Sequence, residues 1–392
     1  MKNVAVIHYD EIALKGANRH IFEQKLVQNL AWHIQDNELP YFLEHRWGRI
    51  IATTHSIAEG KASQKKLEFV LSRVPGVSVY GIGVAVDRNI EALKNGMQYV
   101  IEQTDGDFKT FRISTKRVDK TYPGTSTQID VELGAHAERI VGAKARVQLI
   151  HPDVDVRVEI LHDRAYIYIK KQGPSGLPVG SSGKAVALLS GGFDSPVAVY
   201  MCAVRGVQPL LMHFHAYPQT SRAAIEKVEA LARELRNTIG PTQLALVPLL
   251  ESQKQIALTA PEKLRVILYR RLMMRIAQQW GKEHKAKAII TGESVGQVAS
   301  QTLENMHAIG TVASMPILRP LCGMNKRDII KKAVNIGTHD ISVLPYDDTC
   351  TVFMPKNPET KARVQDVEKA EELYNVNKLV EDMLSQIESR EI

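Results

Sequence analysis

The chain has 392 residues, of which 24% are charged and 44% hydrophobic, and a formal net charge of +7. That length calls for two or three domains with a sizeable buried core. The charge is compatible with a nucleic-acid partner but too modest to select one. No apolar run approaches a membrane span, and Met1-Lys2-Asn3-Val4-Ala5-Val6 enters a strand pattern directly, so neither a signal peptide nor a membrane anchor is expected. Cys202, Cys322 and Cys350 are odd in number and widely spaced. They point to a reducing, cytoplasmic setting and away from a disulfide framework or a zinc site.

Strand-like alternation covers Val4 to Tyr9, and a helix is expected from about Asn18 to Asp36, with Phe22, Leu26 and Leu30 on one face. Strand-like runs at Tyr41 to Leu43 and Arg49 to Ala52 complete a small α+β unit ending near Gly60. A second unit opens with a short helix, Lys65 to Leu71, capped by Ser63 or a nearby polar residue. It continues with a strand, Val77 to Val86, interrupted by Gly81 and Gly83, and a helix from Asn89 to Gln103. A strand (Thr110 to Thr115) and a helix (Gln128 to Val141, opened by Gly124-Thr125-Ser126) follow. Strands Val154 to Leu161 and Ala165 to Ile169 close the unit around the turn His162-Asp163-Arg164.

The run from Gly173 to Gly183, rich in glycine, proline and serine, is the clearest linker. Its Gly183-Lys184 is not a Walker-type loop, because Pro178 stands where that motif needs glycine and Ala185 where it needs serine or threonine. From Lys184 strands alternate with helices: a strand ending at Leu189, Leu210 to Phe214, Leu244 to Leu249 and Ala288 to Thr291, with helices at Arg222 to Arg236 and Glu262 to Glu283 between them. This alternation predicts a parallel sheet wound with helices on both faces, and ligands in such sheets sit at the carboxyl ends of the strands. The stretch from Pro358 to Ile392 reads as one or two charged helices.

Chemistry concentrates at Ser190-Gly191-Gly192-Phe193-Asp194-Ser195. A strand precedes it and a helix with Pro196 near its start follows. Two glycines admit a polyanion to the backbone, the helix terminus supplies N–H donors, and Ser190 and Ser195 add hydroxyls. A second polar loop, Thr291 to Thr302, stands at another strand end and reads as a further nucleotide contact. His213-Phe214-His215 ends the next strand, where Phe214 would stack on a base and metal ligation is not expected. In Arg270-Arg271-Leu272-Met273-Met274-Arg275 the methionines read as core, and the arginines as surface ion pairs or a phosphate clamp. Lys109, Arg112, Lys116, Arg117 and Lys120 face only Asp119 as an opposing charge and suit either a phosphate backbone or a solvated edge strand. Cys202 and Cys322 read as buried and inert, and Cys350 as exposed, although Asp347 and Asp348 disfavour its thiolate.

These residues resemble the tRNA 4-thiouridine synthetase family, which also serves thiamine thiazole synthesis. Glu11-Ile12-Ala13-Leu14-Lys15-Gly16 with Asn18-Arg19 is similar to its N-terminal signature, although Asp10 stands where the family more often has glycine. The segment Lys61 to Lys171 resembles a THUMP RNA-binding domain, Ser190 to Ser195 the PP-loop of ATP pyrophosphatases, and Thr291 to Thr302 the family's second nucleotide loop. The resemblance implies an α/β multidomain chain: a ferredoxin-like α+β domain at 1–60, a THUMP domain at 61–172 and a doubly wound PP-loop ATP pyrophosphatase domain at 173–392. It implies that ATP and Mg²⁺ activate O4 of a tRNA uridine, the one at the eighth position, by adenylation, and that a persulfide displaces AMP. ATP contacts are implied for Leu188, Leu189, Ser190, Gly191, Gly192, Ser195, His213, Phe214, Arg270, Gly292 and Gln301, with Asp194 shaping the loop and helping to hold Mg²⁺. Cys350 matches the cysteine that completes sulfur transfer. No rhodanese domain follows in the sequence, so a cysteine desulfurase is expected to load Cys350 directly. A homodimer spanned by tRNA is implied as well. The alternatives are a PP-loop ligase that adenylates another base or a small molecule, and an RNA-binding or sulfur-carrier protein with a vestigial nucleotide site.

Overall fold

A computed structural model describes residues 1–46, 48–104, 107–345 and 353–392. They form two compact units, Met1–Gly176 and Leu177–Ile392, and the break between them falls inside the glycine- and proline-rich run.

The first unit runs β1 (Lys2–His8), α1 (Arg19–Asp36), β2 (Phe42–Arg46), β3 (Arg49–Thr53), α2 (Ile57–Leu71), β4 (Val79–Val86) and α3 (Ile90–Glu102). It continues with β5 (Thr110–Arg117), α4 (Ser126–Val141), β6 (Arg146–Val147), β7 (Val154–Ile160), β8 (Ala165–Ile169) and β9 (Lys171–Gln172). Among the described residues these nine strands make one sheet, ordered β2-β3-β1-β4-β8-β7-β5-β6, with β9 paired to β4. Pairing is antiparallel from β2 to β7 and parallel from β7 to β6. Tyr80, Val84 and Val86 point to the same side of β4, and all four helices pack on that side.

Helix α2 starts earlier than its composition indicates. Ser56 and Glu59 form a reciprocal capping box, whereas Ser63 turns inward and donates to the Glu59 carbonyl at 2.6 Å. Gly60, which reads as a terminator, lies inside the helix where it crosses β1: a Cβ there would stand 2.3 Å from Asn3 Nδ2. The boundary expected at residue 60 therefore falls within α2. Leu67, Val70 and Leu71 of that helix share a core with Leu26 and Leu30 of α1.

The second unit runs β10 (Lys184–Leu188), α5 (Asp194–Ala203), β11 (Gln208–His215), α6 (Arg222–Ile239), β12 (Gln243–Pro248), α7 (Leu250–Thr259), α8 (Arg265–Glu283) and β13 (Ala286–Ile290). Then come α9 (Leu303–Gly310), β14 (Ile317–Leu318), α10 (Lys326–Asn335), α11 (His339–Ser342), α12 (Val364–Glu371), α13 (Val376–Leu384) and β15 (Glu388–Glu391). The sheet order is β14-β13-β10-β11-β12-β15, parallel throughout except for β15. Separate cores line its two faces, one around Leu268, Ile276 and Trp280 of α8, the other around Val199 of α5 and Val228 of α6. Of the one or two helices expected after Pro358 two are present, and an edge strand follows them. Glu388 to Glu391 carries no apolar alternation and is exposed throughout. Ladder bonds to β12 and an Arg390–Glu229 ion pair hold it, and neither is visible in local sequence.

Candidate active site

Strand order reverses at β10: β11 and β12 lie on one side of it, β13 and β14 on the other. Crevices open at such switch points beyond the carboxyl ends of the strands. The loop from Ser190 to Ser195 fills the turn from β10 into α5. Its shape comes from Ser195, which is buried. The Ser190 N–H donates to Ser195 Oγ at 2.8 Å, and the Ser195 hydroxyl lies 3.2 Å from the Ser190 carbonyl. That hydroxyl is committed to the loop, and Gly191, Gly192 and Asp194 at the start of α5 face the cavity. Gly292 abuts this loop so closely that a Cβ would meet Ser195 N at 2.7 Å. Glycine is required there for the second loop to reach the first.

One cavity is lined by Leu188, Leu189, Ser190, Gly191, Gly192, Asp194, Ser195, His213, Phe214, Arg270, Gly292 and Gln301. The residues expected to contact a nucleotide thus converge from β10, β11, α8 and the loop after β13. Met212, Met273, Met274, Thr291, Glu293, Gln297 and Val298 complete the wall.

His213 is buried, and burial pushes its imidazole pKa down to about 4, so the ring is neutral. Its Nδ1–H donates to the Leu189 carbonyl at 2.9 Å. The lone pair therefore sits on Nε2, a buried atom with no partner among the described residues. Such an atom suits a ligand N–H or O–H.

Asp194 is held by Lys326, the first residue of α10, whose Nζ lies 2.7 and 3.0 Å from the two carboxylate oxygens. Gln297 Nε2 donates to Oδ2 at 2.9 Å. Nothing in the sequence singles out Lys326. It is one of 50 lysines and arginines, and the helix cap Asn325 beside it is the only local signal.

The loop from Thr291 to Thr302 divides its labour. Thr291, Gly292, Glu293, Gln297, Val298 and Gln301 line the cavity, whereas Ser294 Oγ donates to the Met324 carbonyl and Thr302 caps α9. The arginines of α8 divide likewise. Arg270 faces the cavity, while Arg271 and Arg275 both grip Glu371 of α12. With Arg271 1% exposed, this is a buried clamp and not the surface pair expected. Burial raises the Glu371 carboxyl, but hydrogen bonds from Arg275 and Arg271 outweigh it and hold the pKa below the usual carboxylate range.

Cys202 is buried, and burial pushes its thiol up to about 11. Burial also raises the partly exposed Cys322, against a smaller opposing effect of Arg319. Both thiols are suppressed. Cys350, with Asp347 and Asp348, lies outside the described residues.

In the first unit the basic set gathers on β5 and the loop after it, but it does not act as one patch. Arg112 donates to Asp155 at 2.6 Å and to the Leu149 carbonyl, and Arg117 to the Tyr122 carbonyl at 2.8 Å. Lys109, Lys116 and Lys120 are exposed. Asp119 is not their counter-charge: it is 2% exposed and paired with Arg88. Beyond Phe111 the outer edge of β5 has no strand partner among those described, and the Thr115 N–H donates instead to Asp130 of α4.

Comparison with known proteins agrees with this organisation. Residues 180–376 match the family model described as thiamine biosynthesis protein (ThiI), residues 4–80 its ferredoxin-like domain and residues 87–170 the THUMP domain. A probable tRNA sulfurtransferase of Brevibacillus brevis is 41% identical over 391 residues, covering 100% of this chain and 96% of the relative. The chain belongs to the ThiI family. A Moorella thermoacetica relative of the same description is 40% identical, covering 98% of this chain and 96% of its own. Among solved structures, a 4-thiouridine synthetase–RNA complex with bound ATP superposes with a TM-score of 0.89 at 34% identity, covering 100% of both chains. The ThiI-family fold is thus ferredoxin-like, THUMP and PP-loop parts in that order. No helix among the described residues is long and apolar enough to cross a membrane.

Proposed function

We propose that this chain is an ATP-dependent tRNA sulfurtransferase that converts uridine 8 of tRNA to 4-thiouridine through an adenylated uridine. The observation that carries this is the cavity beyond β10, where the phosphate loop, the neutral His213 and Arg270 meet. It lies in a chain that resembles a synthetase bearing both ATP and RNA over its whole length.

Uridine O4 is a poor leaving group. Its attack on the α-phosphorus of ATP expels pyrophosphate and leaves C4 bonded to a good one. Gly191, Gly192 and the N-terminus of α5 bind the phosphates, and Lys326 offsets the charge that accumulates on the departing pyrophosphate. A persulfide on Cys350 then attacks C4 and AMP departs; an external thiol cleaves the remaining S–S bond to release 4-thiouridine.

Mg²⁺ fits this site as a companion of the triphosphate. No group of three metal-ligating side chains occurs among the described residues, and Glu293 is saturated by arginines. Asp194 is the carboxylate that would hold the ion, with phosphate and water oxygens supplying most ligands, as Mg²⁺ prefers. When bound, Mg²⁺ screens the phosphate charge.

The same reading assigns Leu188, Leu189, Phe214, Gly292 and Gln301 to ATP, and Lys109, Lys116 and Lys120 to the RNA backbone. It carries a cysteine desulfurase as sulfur donor, a homodimer that shares the tRNA, a cytoplasmic setting and sulfur relay to thiamine thiazole synthesis. Pyrophosphate release from ATP tests it. Release that requires tRNA, with 4-thiouridine detected by mass spectrometry, is expected. Release without tRNA would identify a small-molecule ligase, and no release a binding protein.

A further inference from the structure

Glu293 follows Gly292 and is 3% exposed. Its Oε1 accepts from Arg270 Nη1 at 2.9 Å, and its Oε2 from Arg319 Nε at 2.7 Å and the Thr291 hydroxyl at 3.0 Å. Arg270 comes from α8 and Arg319 from the segment after β14, so one buried carboxylate joins two guanidiniums from separate elements. Its place relative to the phosphate loop is fixed by the packing of Gly292 against Ser195. Arg270 lines the cavity, and its buried Nε has no partner among the described residues.

We propose that Glu293 is the positioning residue of the nucleotide cavity, acting through Arg270. This deepens the functional reading above and rests on it for the identity of the nucleotide. An arginine side chain has several rotatable bonds, and a cation beside a second cation in a poorly solvated wall is driven away from it. The shared carboxylate reverses that preference. It neutralises Arg319, anchors one edge of the Arg270 guanidinium and leaves its other donors for oxygen atoms of the ligand. A carboxylate is needed because glutamine, of the same shape, accepts through one oxygen only and carries no charge against two arginines. Binding energy otherwise lost in ordering Arg270 is then available to the nucleotide.

The test measures ATP affinity by titration calorimetry, and ligand-free melting temperature, for the full chain and for Glu293→Gln, Arg270→Met and the double variant. Glu293→Gln should weaken ATP binding about tenfold or more, and the double variant should bind within about twofold of Arg270→Met alone. An equal loss from Glu293→Gln in both backgrounds would show that the residue supports the cavity wall generally, and would overturn the proposal. Wild-type affinity in Glu293→Gln would overturn it too. If Glu293→Gln does not fold, Glu293→Asp, one methylene shorter but still charged, carries the same comparison. A wild-type chain that binds no ATP would overturn the functional reading itself, a result distinct from additivity.

Discussion

Lys326 and Asp194, 132 residues apart in the chain, meet at 2.7 Å beside the phosphate loop. Each constrains the other: the lysine charge is held beside the loop proposed to bind phosphates, and it offsets a carboxylate that would otherwise repel them. Lys326→Met should therefore lower tRNA-dependent pyrophosphate release by about a hundredfold or more, the scale for removing a group that stabilises developing charge. Asp194→Ala should abolish thiolation. Both variants should bind tRNA within about twofold of wild type in a filter-binding assay. Loss of tRNA binding in either would place the pair in RNA recognition.

Cys350→Ser separates the two halves of the reaction. Activation of uridine needs no sulfur, so tRNA-dependent pyrophosphate release should persist while 4-thiouridine disappears. Thiolation at the wild-type rate would remove Cys350 from the mechanism.

The basic residues of the first unit should behave as two groups. Replacing Lys116 or Lys120 with alanine should weaken tRNA binding and reduce the slope of log affinity against log salt by about 1 for each phosphate no longer neutralised. Arg112→Ala should instead destabilise modestly, because Asp155 loses the closer of its two guanidinium partners, at 2.6 Å, and keeps Arg157 at 3.0 Å. Urea melts of these variants, compared with salt titrations of binding, check the division.

Glu371→Ala should cost about 3 kcal/mol or more in the stability of the second unit. It leaves Arg271, 1% exposed, as a buried charge without its carboxylate. Glu371→Ala together with Arg271→Met should recover part of that loss. Additive losses would show that the clamp is not energetically coupled.

Acid should act on the first unit through Glu159. Burial raises this carboxyl, but a hydrogen bond from His8 and the charges of His8 and Arg49 pull it from 4.5 to about 2. A depressed folded pKa means the unfolded chain binds the proton more readily. The stabilisation is thus complete above pH 4.5 and is lost as pH falls toward 2. The shift corresponds to about 3 kcal/mol. Glu159→Gln should flatten the fall in stability across that window in pH-dependent urea melts. An unchanged slope would assign acid sensitivity to other carboxylates.

The sequence by itself determined the parts whose signal is local. The glycine pair between a strand and a helix marks the phosphate loop, alternation of strands with helices marks the parallel sheet, and the Gly173–Gly183 run contains the break between units. Backbone geometry and hydrophobic period act over a few residues, so they can be read from neighbours. Only the tertiary structure decided which of several similar side chains does what. Arg270 and Arg271 are adjacent in sequence, but successive helix residues point about 100° apart, so one enters the cavity and the other a buried clamp. Likewise Ser56 and not Ser63 caps α2, because the approach of that helix to β1 admits Gly60 in its interior. Lys326 and Glu293 acquire their roles from partners on other elements, and a single charged residue carries no local mark of the charge it will meet.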